Sequence, residues 1–488
     1  MAYLALDLGA GSGRAIVGTI VDGRICLDEV HRFENKPVRL GDTLYWNFLS
    51  LFDNIKQGIF LAVKKGYNLK GIAVDTWGVD FGLIDKSGHL ISNPVTYRDS
   101  RTSGMAKEVM QNISKEYLYE STGIQQMEIN TLFQLYSLYS KSDPSLCSAD
   151  KLLFTPDLIN YFLTGVAANE YTIASTSQLL NAKTRQWDEY IFRQLELPYS
   201  VMEKIIQPGE IIGNLSKAIA EETGAINAKI FSVGSHDTAS AIGAIPADGD
   251  NWAFLSSGTW SLLGLLTDEP ILTADAVHND FTNEGGVNGK ILFMRNITGL
   301  WLLQQLIAEW EKKDEKKYSY EYLLSEAIQA KALQSIVNPD DTIFTNPLSM
   351  SKAIETYCAD NNQTVPSNKG EFVRCVIESL ALKYHFVVKK LKECSGRNIE
   401  QLYVVGGGSQ NDLLNQYTSD ALNVVVSTGM TESTAIGNIM QQAIADKTVK
   451  NWHEGHEIIK NSFILKSYYP KDNQRWLEVA ENVKHLFV

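Results

Sequence analysis

The stretch Tyr3-Leu4-Ala5-Leu6-Asp7-Leu8-Gly9-Ala10-Gly11-Ser12-Gly13-Arg14-Ala15-Ile16-Val17-Gly18-Thr19-Ile20-Val21 decides the fold. Tyr3 to Leu6 is apolar and reads as a buried strand. Asp7 to Arg14 is a glycine- and serine-rich turn. Ala15 to Val21 continues as a second strand, and Asp22-Gly23 signals another hairpin. The element after the glycines matters most. A dinucleotide-binding fingerprint places a helix there, and a P-loop requires Gly-Lys-Ser/Thr. Neither is present, which argues against a dinucleotide dehydrogenase. A strand–glycine loop–strand unit remains, and its backbone N–H groups can cradle a phosphate. The plainer reading is a hairpin connection. Three glycines and Arg14 within so short a turn favour the phosphate.

The unit recurs about halfway along. Trp252-Ala253-Phe254-Leu255 is a strand, Ser256-Ser257-Gly258-Thr259 a small-residue turn, and Trp260 to Leu266 the returning strand. One such hairpin opens each half, which predicts a duplicated α/β protein with a cleft between its halves. Gly71 to Gly78 reads as a buried strand entering a loop, and Leu402 to Gly408 does the same in the second half. Helical stretches such as Glu371 to Glu393 alternate with strands, so mixed, helix-covered sheets are expected. The boundary falls near Gly243 to Asp250, where Pro246 and Gly249 interrupt, giving domains 1–243 and 244–488. The tail from Asp472 has helical spacing at Trp476, Ala480, Val483 and Leu486, and is expected to pack back on the first half.

A chain of 488 residues has room for two or more domains with their own cores. With 44% hydrophobic and 21% charged residues it has the composition of a soluble globular protein. The net charge of −13 argues against nucleic-acid binding, which needs a basic footprint. It leaves room for an anion held locally by backbone N–H groups and an arginine or two. Cys26, Cys147, Cys358, Cys375 and Cys394 are scattered, with no CxxC pair, so neither a zinc site nor a disulfide framework is suggested. Free thiols and a cytoplasmic location are expected. The first residues read as a strand rather than a signal peptide. No apolar run nears the ~20 residues that a membrane span needs.

Gly234-Ser235-His236-Asp237-Thr238-Ala239-Ser240-Ala241 carries the chemistry. The apolar Ile230 to Val233 leads in, and small residues come after it at helical density, so Asp237 falls in the first turn of a helix. The helix dipole favours a carboxylate there. The competing reading is an N-cap. Two phosphate-type hairpins and an isolated carboxylate point to phosphoryl transfer: the hairpins hold a nucleotide tail, and the carboxylate accepts the proton of an attacking hydroxyl. Asp7 ends a strand beside the first hairpin, placed to hold Mg2+ directly or through water.

Asp7 to Arg14, Asp75 to Phe81, Tyr97 to Thr102, Ser235 to Ala241, Ser256 to Ser261 and Val405 to Asn411 stand in the order seen in the FGGY carbohydrate kinases, and the chain resembles that family over both halves. The likeness is nearest to members acting on L-rhamnulose. It implies two actin-like ATPase (ribonuclease H-like) domains, ATP as donor, and L-rhamnulose phosphorylated at its 1-hydroxyl by a monomer or homodimer. Through it, Asp237 matches the family's proton acceptor. Ala10, Gly11, Ser12, Gly13 and Arg14 match the first ATP-phosphate loop, Thr259 the second, Gly407 the adenosine side, and Gln304 a further nucleotide contact. Gly78, His236, Asp237, Thr238 and Asn296 match sugar contacts.

Each has a plainer alternative. The glycine triplet Gly406-Gly407-Gly408 lets a flat base lie against backbone, or marks a helix entry. Gly78 admits a sugar, or is a turn residue. Trp77 stacks on a sugar face, or is core. His236 donates to a hydroxyl, or is structural. Asn296 meets the sugar, or caps the helix starting near Leu300. Arg98, Asp99 and Arg101 line the sugar site, or pin a loop. Two other readings compete at the level of function: a kinase for another ketose such as L-fuculose or D-xylulose, and an actin-like filament or chaperone ATPase, which lacks a base for a sugar hydroxyl.

Overall fold

The computed structural model describes residues 1–487. They form two compact units interleaved along the chain. The first comprises Met1–Ala247, Leu266–Phe293 and Glu432–Phe463; the second comprises Asp248–Leu265, Met294–Thr431 and Ile464–Val488.

The first unit is built on strands β1 (Ala2–Leu8), β2 (Ser12–Val21), β3 (Arg24–Glu34), β4 (Leu69–Thr76), β5 (Ile211–Asn214) and β6 (Lys229–Phe231), in spatial order β5-β6-β4-β1-β2-β3. Every residue of β1 is buried, as its near-continuous apolar sequence demands for a strand covered on both faces. It pairs antiparallel with β2 and parallel with β4. Helix α1 (Phe48–Lys64) starts at Asn47, whose side chain accepts from the Ser50 amide, and buries Leu51, Ile55, Ile59 and Ala62 against the sheet. The short helix α2 (Asp237–Gly243) comes after β6.

The second unit carries β7 (Trp252–Ser257), β8 (Trp260–Thr267), β9 (Ile291–Thr298), β10 (Gln401–Val405), β11 (Val425–Thr428) and β12 (Lys466–Tyr468), side by side in the order β9-β8-β7-β10-β11-β12. Again the opening strand, β7, pairs antiparallel with its hairpin partner β8 and parallel with a later strand, β10. Helices α3 (Trp301–Asp314), α4 (Lys369–Ser395) and α5 (Asp412–Leu422) belong to this unit, and α6 (Ser433–Ala445) to the first.

The tail departs from the expectation for 472–488. Helix α7 (Asn473–Val483) packs within the second unit, with the Trp476 ring 5.3 Å from that of Tyr417 on α5 and Asn473 donating to the Asp420 carbonyl at 2.8 Å. The segment that returns to the first unit is α6. Its Gln442 amide donates to the Leu4 carbonyl at 3.1 Å, and its Asn438 amide to the Ala73 carbonyl at 3.3 Å. Helical spacing shows that a face is apolar; it does not say which surface covers it. The five cysteines are free thiols. No helix among the described residues is long and apolar enough to cross a membrane.

Candidate active site

At one end of the first sheet the register sets three charged residues side by side. Asp7 on β1 faces Asp75 on β4 and Arg14 on β2. The Arg14 guanidinium pairs with the carboxylates of both Asp7 and Glu432. Burial raises the pKa of Asp7, and the Asp237 charge adds to this, while Arg14 pulls it down. Asp75 is raised well above the ordinary range by burial and by the charge on Asp7, despite a 2.6 Å hydrogen bond from Asn438. Its other oxygen, Oδ1, is buried without a hydrogen-bond partner. A buried carboxylate at Asp7 beside that unmet oxygen is the hard donor chemistry that Mg2+ takes, and the residues fit such an ion. Among the described residues no group of three or more His, Cys, Asp or Glu side chains is arranged around a metal position.

The glycine turn between β1 and β2 is pinned by Asn35, whose amide nitrogen donates to the Gly11 carbonyl at 3.1 Å and whose side chain donates to the Gly9 carbonyl at 3.0 Å. The glycines divide by cause. At Gly13 a Cβ would lie 2.2 Å from the Phe33 ring, so packing requires glycine. At Gly11 a Cβ would meet nothing within 4 Å. Gly11 and Ser12 are exposed at the tip.

The loop from β6 into α2 is tied down at several backbone positions. The Thr76 amide donates to the Ser235 carbonyl at 2.8 Å, and the His236 amide to the Thr172 hydroxyl at 3.1 Å. The Ser235 amide donates to Glu170 at 3.3 Å. Glu170 is buried, and its pKa is pushed up to about 7 in spite of the amides it accepts. His236 occupies the cap position, and Asp237 is the first helical residue, so the N-cap reading of Asp237 does not apply. Its Oδ1 accepts from the Thr238 amide at 2.6 Å and the Thr238 hydroxyl at 3.3 Å, and its side chain is 32% exposed. Partial loss of water raises its pKa; the nearby His236 and the Thr238 amide pull it back. His236 is buried, with Nε2 3.5 Å from Asp237 Oδ1 and Nδ1 3.1 Å from Glu284 Oε2. Burial alone would lower its pKa, but the facing Glu284 carboxylate, with Asp237 and Glu170, raises it.

Gly78 comes just after β4, half-buried, where a Cβ would lie 3.2 Å from the Thr176 hydroxyl. The next residue, Val79, holds φ of 68°, a strained conformation for a β-branched residue. It is fixed by the Thr131 hydroxyl donating to its carbonyl at 2.7 Å. Trp77 is core: its indole donates to Asp80 at 3.0 Å and its ring lies 4.3 Å from that of Trp46. Asp99 pins a loop, accepting from the Arg101 and Leu44 amides at 2.8 Å each. Arg101 donates to Gln134 at 2.6 Å, and Arg98 to the Tyr97 hydroxyl at 3.1 Å.

In the second unit the β7–β8 hairpin presents Thr259, whose hydroxyl donates to the Gln304 side chain on α3 at 3.0 Å. The Gly299 amide donates to the Thr259 carbonyl at 3.0 Å and the Leu300 amide to the Gly258 carbonyl at 2.9 Å, so the hairpin tip and the start of α3 form one surface. Asn296 lies within β9, and Leu300 takes the cap position of α3; the capping role considered for Asn296 is therefore set aside. In the glycine triplet, Gly406 holds φ of +79°, and a Cβ on Gly408 would lie 2.0 Å from the Ser257 hydroxyl. Gly407 is exposed, and a Cβ there would meet nothing within 4 Å. As at Gly11, the protein's own packing does not require the missing side chain.

Sequence models of the FGGY family of carbohydrate kinases match most of the chain, the N-terminal domain over residues 2–243 and the C-terminal domain over 253–445. The chain belongs to the FGGY family of carbohydrate kinases.

This FGGY kinase is similar to the rhamnulokinase of Bacteroides thetaiotaomicron, 42% identical over 97% of each chain. It is also similar to that of Bacillus subtilis, 36% identical over 97% of this chain and 96% of the relative. Its fold matches that of gluconate kinase from Lactobacillus acidophilus, with a TM-score of 0.81 at 17% identity over 100% of this chain and 96% of the other. It matches glycerol kinase from Plasmodium falciparum with ADP equally well, at 0.81 and 16% identity over 100% and 98%. The protein is thus a sugar kinase, a phosphotransferase with the two-domain fold of the family, rather than a filament or chaperone ATPase. Four residues that hold the turns and charged groups described above carry no signal in the sequence. Asn35, Glu170, Glu284 and Glu432 are isolated polar residues in separate segments, and no spacing links them to the turns they support.

Proposed function

We propose that this kinase transfers the γ-phosphoryl group of ATP to the 1-hydroxyl of L-rhamnulose, giving L-rhamnulose 1-phosphate and ADP. The observation that carries the reading is Asp237: a partly exposed carboxylate, raised above its ordinary pKa, at the start of a helix and beside a buried histidine. It takes the proton from the sugar hydroxyl as the oxygen attacks the γ-phosphorus. The bond to the β,γ-bridging oxygen breaks, and ADP leaves. A base of this kind contributes ~100- to 10,000-fold in rate.

His236, Thr238, Gly78 and Asn296 hold the sugar. The backbone of Ala10 to Gly13 receives phosphate oxygens, and a phosphate replaces Glu432 as an anionic partner of Arg14. Thr259 and Gln304 contact the nucleotide, and the open backbone at Gly407 lies along its adenosine part. Asp7 would hold Mg2+, which neutralises developing charge on the phosphates. The curated relatives named as rhamnulokinases support L-rhamnulose over other ketoses, and the cytoplasm is where such a substrate and ATP meet.

The test is ADP release with MgATP against L-rhamnulose, L-fuculose, D-xylulose, L-ribulose and glycerol. Strong preference for L-rhamnulose is expected. Preference for L-fuculose or D-xylulose would keep Asp237 as base and overturn the substrate. ATP hydrolysis indifferent to every sugar would overturn the reading altogether.

A further inference from the structure

Glu284 sits on the short strand Thr282–Gly285, outside every recognisable sequence signature. The strand is buried throughout. Its backbone is clamped on both sides of Glu284. The Asn283 amide donates to the Gly123 carbonyl at 2.8 Å, and the Gly285 amide to the Ser175 hydroxyl at 2.7 Å. A Cβ on Gly285 would lie 2.6 Å from the Tyr171 ring, so the strand cannot shift toward that helix. The carboxylate is therefore delivered to a fixed place, with Oε2 3.1 Å from His236 Nδ1. Both atoms are buried, neither makes a hydrogen bond, and they meet only as an ion-pair contact. An unpaired carboxylate in that position is costly, and a cationic imidazole relieves the cost.

Building on the proposed sugar phosphorylation, we propose that Glu284 is a positioning residue that keeps His236 in its doubly protonated form, so that Nδ1–H faces Glu284 while Nε2–H is aimed past Asp237 at a sugar hydroxyl. The groups facing His236 from each packed element are Glu284 on its short strand, Asp237 on α2 and Glu170 at the start of the helix Tyr171–Ser175. All three are acids and favour the proton; burial and the N-terminus of α2, which His236 caps, oppose it. The cation in turn favours ionised Asp237, the form that accepts a proton. Glu284 touches neither the sugar nor the phosphoryl group in this arrangement; it acts through the imidazole.

The first measurement uses no sugar. Side-chain nitrogen NMR of the full chain, with the His236 signal assigned by its loss in His236→Gln, tracks protonation with pH. In the wild type His236 is expected to hold its proton above the pH at which an ordinary histidine releases it (~6.5). Glu284→Gln should bring that release down by about 1 pH unit or more. The same variant should lose ~10- to 100-fold in kcat/KM for L-rhamnulose, mostly through KM, with KM for ATP unchanged. Its pH profile should narrow, the alkaline limb moving down with His236 and the acid limb moving up with Asp237. Glu284→Asp, which keeps the charge, should retain the wild-type titration, and serves if the amide variant does not fold. A wild-type His236 that is neutral at pH 7 would overturn the proposal. So would a Glu284→Gln variant whose His236 titration is unmoved, even if its KM rises, since that result means Glu284 binds the sugar itself. Preference for another ketose overturns the substrate alone and leaves the titration result standing.

Discussion

The two hairpins share a topology and differ in chemistry. In each unit an opening strand pairs antiparallel with its hairpin partner and parallel with a later strand. One residue before the end of that opening strand, the first unit has Asp7, flanked by Asp75 and Arg14. The second has Ser256 there, flanked by Val405 and Leu262. The first row is charged and the second neutral. The backing differs in the same way: Asp237, His236, Glu284 and Glu170 in the first unit; the Ser261–Tyr384 hydroxyl pair at 2.8 Å and the Thr259–Gln304 pair in the second. Under the proposed function the duplicated scaffold serves two tasks. Between the two hairpin rows, buried charge is confined to the first, where the proposed reaction moves a proton and a phosphoryl group. Under the same proposal, neutral donors and open glycine backbone suffice where a nucleotide has only to lie down.

The sharpest way to break this division is Asp237→Asn. It should fold normally by circular dichroism and lose ~100- to 10,000-fold in kcat. In the wild type the acid limb of kcat/KM should lie above the ordinary carboxylate range (~3.9), because lowering the pH through the raised pKa of Asp237 protonates the base. Near-normal turnover in the variant would place the chemistry elsewhere.

A pair of substitutions in the second unit separates binding from packing within one glycine run. The Cβ of Gly407→Ala meets no protein atom within 4 Å, so its melting temperature should be unchanged while KM for ATP rises ~10-fold. Gly408→Ala drives a Cβ into Ser257 and should destabilise by about 1–3 kcal/mol. If both variants behaved alike in thermal unfolding and in ATP kinetics, the sorting of these glycines by cause would fail.

The smallest effect concerns the cost of charge in the first unit. Asp157 is buried, accepts from the Glu170 amide at 3.1 Å, and has its pKa raised well above normal by burial and then by the Glu170 charge. A folded-state pKa above the unfolded one means that stability is lost as pH rises beyond the unfolded value. Asp157→Asn keeps an acceptor for the Glu170 amide and removes that cost. It should raise stability by about 1 kcal/mol, and by more at pH 8 than at pH 5. Thermal melts at the two pH values decide it.

The sequence by itself determined the two hairpins, the buried opening strand and the helix that starts at Asp237. These are local: apolar runs, glycines and turn residues specify their structure within a few positions. It also carried the family, through turns spaced over both halves. Tertiary structure alone decided the rest. Trp77 is core because Trp46 and Asp80 enclose it, and Asn296 is a strand residue because β9 runs through it. Helix α6, rather than the final helix, closes on the first sheet because Asn438 and Gln442 satisfy the Ala73 and Leu4 carbonyls there. Glu284 faces His236 across 48 positions of chain. No periodicity records such a meeting, because a buried charge finds its partner through the packing of separate segments, and a single sequence carries no trace of which segments meet.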